Sequence, residues 1–102
     1  MACIEGGERE LHKLAREDRA ADAMYSLGIL YSTGDGVPLD YIQAHKWFNL
    51  AAMMGNGDAR DWRGQLAAEM SQLEIADAQK QARAWMAEER EAATEDTVSE
   101  VA

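Results

Sequence analysis

One uninterrupted stretch, residues 23–59, constrains the fold more than any other: AMYSLGILYSTGDGVPLDYIQAHKWFNLAAMMGNGDA. Apolar residues recur at helical spacing, a turn rich in glycine interrupts them, the spacing resumes, and a second glycine stops it. Two helices joined by a seven-residue turn, with a third helix beginning behind them, satisfy this pattern. Strand-type alternation is absent throughout, and Pro38 is the only proline. The chain therefore reads as all-α, an α/α superhelical stack of about five antiparallel helices.

The expected helices cover 7–17, 20–32, 41–54, 58–70 and 72–89. Leu11, Leu14 and Ala15 share one side of the first, and Asp18 is positioned to cap the second. In the second, Ala20, Ala23, Met24, Leu27, Leu30 and Tyr31 fall on one face, while Tyr25 and Ile29 fall on the other. Gly28 sits mid-helix, where glycine is about 1 kcal/mol worse than alanine; a helix keeps such a residue where a neighbour must come close. Gly34 ends this helix. Asp40 caps the third, with Gln43 completing a variant capping box.

The third helix buries Ala44, Trp47, Leu50, Ala51 and Met54, widened by Tyr41, Phe48 and Ala52, with His45, Lys46 and Asn49 opposite. Gly55 ends it. Ala59, Trp62, Leu66 and Met70 point inward from the fourth. Ser71 and Glu74 form a second capping box, and Ile75, Ala78, Ala82, Trp85 and Met86 form the inward stripe of the fifth. Short connections imply antiparallel packing of consecutive helices.

Charge narrows the partners. The formal net charge is −9, and phosphate binding needs clustered Lys and Arg, so nucleic acid is not an expected partner. Residues 88–102 carry six acids and one base and hold more than half of that excess; without large apolar residues they read as a disordered, solubilising tail after a domain spanning 1–87. No apolar run reaches the ~20 residues of a membrane span. The start, MACIEGGERE, lacks a basic region followed by an apolar one, so a cytoplasmic location is expected.

At this point the residues match a known pattern. The segment 23–31 (AMYSLGILY), then Gly34-Asp35-Gly36-Val37-Pro38, Asp40-Tyr41, Ala44, Lys46-Trp47-Phe48, Ala51-Ala52 and Gly55 resemble the Sel-one-like repeat, a relative of the tetratricopeptide repeats. The likeness covers about 37 residues without insertion. Residues 59–86 resemble the cap that follows the last repeat in small bacterial members, and Leu11 to Ala15 could stand for part of an earlier copy. The resemblance implies a right-handed stack of helical hairpins with a scaffold or adaptor role in protein–protein interaction, often in bacterial signalling and envelope processes. It implies no enzyme activity and no cofactor. One full copy is fewer than the roughly three repeats such arrays need, so the flanking helices act as caps or two chains share a core.

Catalytic and metal chemistry finds no support. His12, His45 and Cys3 lack the spacing of a zinc site, and His45 reads as a surface residue. The glycine turn lacks the Gly-Lys-Ser/Thr ending of a phosphate loop and the ligand spacing of a calcium loop. Asp18 with Asp22, and Asp58 with Asp61, sit near helix starts, where negative charge is favourable. Ser26, Ser32 and Ser71 have no His/Asp constellation. Trp47, Trp62 and Trp85 read as core, as do Met24, Met54, Met70 and Met86. Ile42 and Met53 form a candidate exposed apolar patch on the third helix. By analogy with tetratricopeptide grooves, the outward face of the second helix would present Asp22, Tyr25, Ile29 and Ser32; packing of Tyr25 and Ile29 on the first helix is the equal alternative. The expected partner is another protein or a peptide; a homodimer closing the open ends of the stack is the alternative.

Overall fold

The computed structural model describes the backbone of residues 7–101 and the side chains of residues 7–90; Cys3 lies outside the described residues. Among them are five helices and no strand: α1 (Gly7–Asp18), α2 (Ala21–Thr33), α3 (Tyr41–Met53), α4 (Gly57–Ala67) and α5 (Gln72–Val101). α1 packs on α2, α2 on α3, and α3 on α4. These are helical hairpins in a tetratricopeptide-like stack. α5 departs from simple succession, because it packs on α3 and not mainly on its chain neighbour α4. α3 is thus enclosed by α2, α4 and α5.

The ends of these helices follow local chemistry. Gly34 adopts φ 76° and its N–H returns to Leu30 O, closing α2 with a single left-handed cap. At the end of α3, Gly55 has φ 104°; its N–H reaches Ala52 O at 3.1 Å, and the Asn56 N–H reaches Ala51 O at 2.9 Å. That paired return is a Schellman motif. Asn56 then caps α4, its side chain accepting from the Ala59 N–H at 2.9 Å. Asp40 accepts from the Gln43 N–H at 3.1 Å. The Ser71–Glu74 box forms in full, Ser71 N–H to Glu74 Oε1 at 2.8 Å and Glu74 N–H to Ser71 Oγ at 3.1 Å.

Two expected caps are replaced. Asp18 does not cap α2: Ala20 holds that position without a side-chain bond, because Arg19 turns the chain through a left-handed φ of 50° and Asp18 remains in α1. Gln43 does not close its capping box. Its amide instead donates to Gln81 Oε1 at 2.9 Å, joining α3 to α5.

The core is built from Ala15, Met24, Leu27, Ala44, Phe48 and Leu50, all fully buried, with Trp47 among them. Gly28 is where α2 and α3 come closest. A Cβ built there would stand 2.5 Å from Phe48 Cδ1, so only glycine leaves room for the ring. Trp47 lies between His12 of α1 (ring centroids 5.3 Å apart, 71° between planes) and Trp85 of α5 (5.7 Å, 74°). These edge-to-face pairs bring three helices to one indole. Tyr31 of α2 donates to Glu8 Oε2 of α1 at 2.5 Å; burial, and then that carboxylate, push the phenol pKa upward.

His45 is a correction. It is only 2 % exposed, since the face of α3 that carries it has neighbours where solvent was expected. Lys46 is half-buried with its ammonium 4.8 Å from the Trp47 ring centroid. Burial lowers its pKa, against the opposing pull of Glu88. A second correction concerns the chain end. α5 does not stop at residue 89 but runs to Val101. No glycine or proline follows Gly64, and the Ala- and Glu-rich composition favours helix, so charge alone does not end it.

His45 gives the fold a pH dependence. Burial first, and Arg63 second, hold its pKa below 6.5. The unfolded chain therefore binds the proton more readily, and stability falls as pH drops below about 6.5 toward the folded-state value, with a slope of at most ~1.4 kcal/mol per pH unit. Urea unfolding of wild type and His45→Gln between pH 8 and 5.5 checks this: the difference between the two should change across that window and stay flat above it.

Candidate functional site

A groove with aromatic walls lies between the C-terminal turn of α2, α3 and α4. Its volume is about 340 Å³. α2 contributes Ser32 and Thr33, α3 contributes Tyr41 and Phe48, and α4 contributes Trp62 and Leu66. Gln65 and Glu69 complete its edge. Phe48 and Leu66 are buried and form the floor, whereas Tyr41 and Trp62 are exposed.

Tyr41, expected to widen the buried stripe of α3, is 37 % exposed, and Trp62 is a second groove residue that sequence reasoning placed wrongly. It was expected in the core and is 43 % exposed. The reason lies in the next two elements. α4 ends at Ala67, not at 70, in tight turns from Glu69 N–H to Leu66 O and from Met70 N–H to Ala67 O, because Ser71 must leave the helix to cap α5. α5 then crosses to α3, and Trp62 of α4 is left uncovered.

The six residues expected to bind a partner are dispersed. Ser32 lines the groove, its hydroxyl donating to Ile29 O at 2.9 Å. Tyr25 and Ile29 are half-buried and pack against the core; the Tyr25 ring lies 6.0 Å from that of Phe48, tilted by 51°. Asp22 Oδ1 accepts from Asn56 Nδ2 at 3.3 Å. Ile42 is half-buried at the start of α3, whereas Met53 at its end is 57 % exposed. Eleven residues separate them, about 16 Å along a helix, so they do not form one patch. Met53 instead lines a second cavity of about 320 Å³ between α3 and α5, with Asn49, Ala82, Arg83 and Met86 among its other walls.

No group of three or more His, Cys, Asp or Glu among the described residues is placed to hold a metal ion. No helix among them is long and apolar enough to cross a membrane. The cation beside Trp62, Arg63, is engaged by Asn49, donating to its Oδ1 at 2.6 Å.

Stacked helical hairpins closed by glycine caps, with an aromatic groove between successive units, define a helical-repeat protein of the tetratricopeptide-like class. Residues 21–56 match the Sel1 repeat family model, the segment from the first turn of α2 to the end of the α3–α4 connection. Residues 21–56 therefore carry one Sel1-like repeat. Comparison with curated proteins and with solved structures finds no match. Sel1 repeats are generally protein-interaction modules.

Proposed function

We propose that this protein is a non-catalytic scaffold or adaptor, and that the α2–α3–α4 groove receives a segment of its partner. The observation that carries this reading is Trp62, a large aromatic side chain left 43 % exposed beside a cavity floored by Phe48 and Leu66. Exposed aromatic residues at the edge of an apolar depression are typical anchors of binding energy. Self-assembly of the chain is the competing reading; a net charge of −9 opposes it through mutual repulsion.

A random-peptide display selection against the folded protein tests the proposal. Selected peptides are expected to bind Trp62→Ala at least tenfold more weakly, while that variant unfolds within about 1 kcal/mol of wild type because the residue is not a core member. Peptides that bind wild type, Trp62→Ala and Tyr41→Ala equally would place recognition elsewhere. A groove already filled by a second copy, seen as dimerisation that Trp62→Ala abolishes, would favour self-assembly.

A further inference from the structure

We infer that the α2–α3–α4 groove is built for a cationic side chain, an arginine or lysine presented by the partner segment; this rests on the groove being the partner site. Three of the described residues that line it are aromatic, Tyr41, Phe48 and Trp62, and the only charged one is an acid, Glu69. Tyr41 and Trp62 are both exposed, so their rings are open to a ligand. Aromatic faces carry negative potential and attract ammonium and guanidinium groups, most strongly when water is partly excluded. Glu69 adds a carboxylate to the lining of the same groove, the acceptor that pairs with a guanidinium or ammonium head.

The remaining edge supports the same ligand. Ser32 and Gln65 offer oxygen acceptors; the hydroxyls of Ser32 and Thr33 already donate to Ile29 O, and Thr33 Oγ1 accepts from the Asp35 N–H. The nearest basic residue in sequence, Arg63, is held by Asn49 and does not line the groove. A net charge of −9 steers cationic partners toward the molecule and repels acidic ones. An aliphatic or acidic segment would use the apolar floor but leave Glu69 without a counter-charge, or set against a like charge.

The test is a titration of ¹⁵N-labelled protein with four blocked pentapeptides, alanine on both sides of a central arginine, lysine, glutamate or leucine. The indole N–H resonance of Trp62 reports the groove; those of Trp47 and Trp85 serve as internal references. The arginine and lysine peptides are expected to shift the Trp62 signal saturably. Glu69→Gln should weaken that binding about two- to fivefold, and 0.5 M salt should weaken it further. Trp62→Ala is read through the amides of Thr33 and Gln65 and should lose about fivefold or more.

Equal shifts from all four peptides would overturn the inference. A leucine peptide that outcompetes the cationic ones would also overturn it, while leaving the groove as a partner site. So would silence from every peptide at Trp62, and if display-selected peptides were then also indifferent to Trp62→Ala, the proposed function would fall with it. Concentration-dependent broadening of Trp62 without peptide would assign the groove to a second copy and overturn it too.

Discussion

Replacing Trp47 by alanine is expected to destabilise the protein by about 3–5 kcal/mol, a large share of the ~5–15 kcal/mol that holds a domain of this size together. The indole is 2 % exposed and joins α3 to His12 of α1 and Trp85 of α5 through two edge-to-face contacts. Truncation leaves a cavity where α1, α3 and α5 meet at one indole. Urea unfolding should show the loss directly. Hydrogen exchange should show protection falling first in α1 and α5. Trp47→Phe is expected to be much milder. Its ring keeps part of the volume, and it removes the Nε1 donor, which has no hydrogen-bond partner among the described residues; an unpaired buried donor carries a penalty of about 1–3 kcal/mol. A loss below ~1.5 kcal/mol for Trp47→Ala, against the scale for buried aromatics, would mean the core is not organised around this residue.

The second large effect concerns Gly28. Alanine in a helix interior is normally better than glycine by about 1 kcal/mol, so a substitution judged on α2 alone should stabilise. In the fold it should do the opposite. The added Cβ would lie 2.5, 2.6 and 2.9 Å from Cδ1, Cε1 and Cγ of Phe48, a ring that is itself fully buried and has the Tyr25 ring 6.0 Å from it. Overpacking of this kind brings a penalty of about 1–3 kcal/mol, and Gly28→Val should exceed Gly28→Ala. The decisive measurement is a double-mutant cycle. In a Phe48→Ala background the clash is gone, and Gly28→Ala should become stabilising, recovering the helix propensity. If its sign does not change, contact with Phe48 is not what holds position 28 to glycine.

Both predictions rest on features of unequal legibility in the sequence. The glycine at position 28 signalled a close approach because nothing local explains a glycine inside an apolar helix. The stops at Gly34 and Gly55, the Asp40 cap and the Ser71–Glu74 box were equally legible, since each involves residues within a few positions of one another. Asn56 was readable by the same logic and was passed over: it lies three residues before the Ala59 N–H that it accepts from, but the neighbouring glycines drew the reading toward a turn. The Asp18 cap failed because Arg19 takes a left-handed conformation that the sequence does not single out.

The site was less legible than the fold. Tyr25 and Ile29 were assigned to a groove by analogy with tetratricopeptide stacks, with packing on the first helix as the alternative; both rest against the core, as residues of a helix packed between two neighbours do. Trp62 had the spacing of a core residue and became the wall of the groove. Helical periodicity says which side chains share a stripe; it does not say whether another helix arrives to cover it.

By itself the sequence determined the class of fold, the number of helices, most of their ends and the identity of the repeat, because these depend on backbone preferences and apolar spacing within a few turns. Only the tertiary structure decided that α5 packs on α3, that His45 is enclosed while Trp62 is open, and that Tyr41, Phe48 and Trp62 line one groove with Glu69. Those outcomes depend on which of several available apolar faces a long helix covers. That choice is made by the summed burial and shape complementarity of whole faces, a property of pairs of helices that the pattern along either one does not contain.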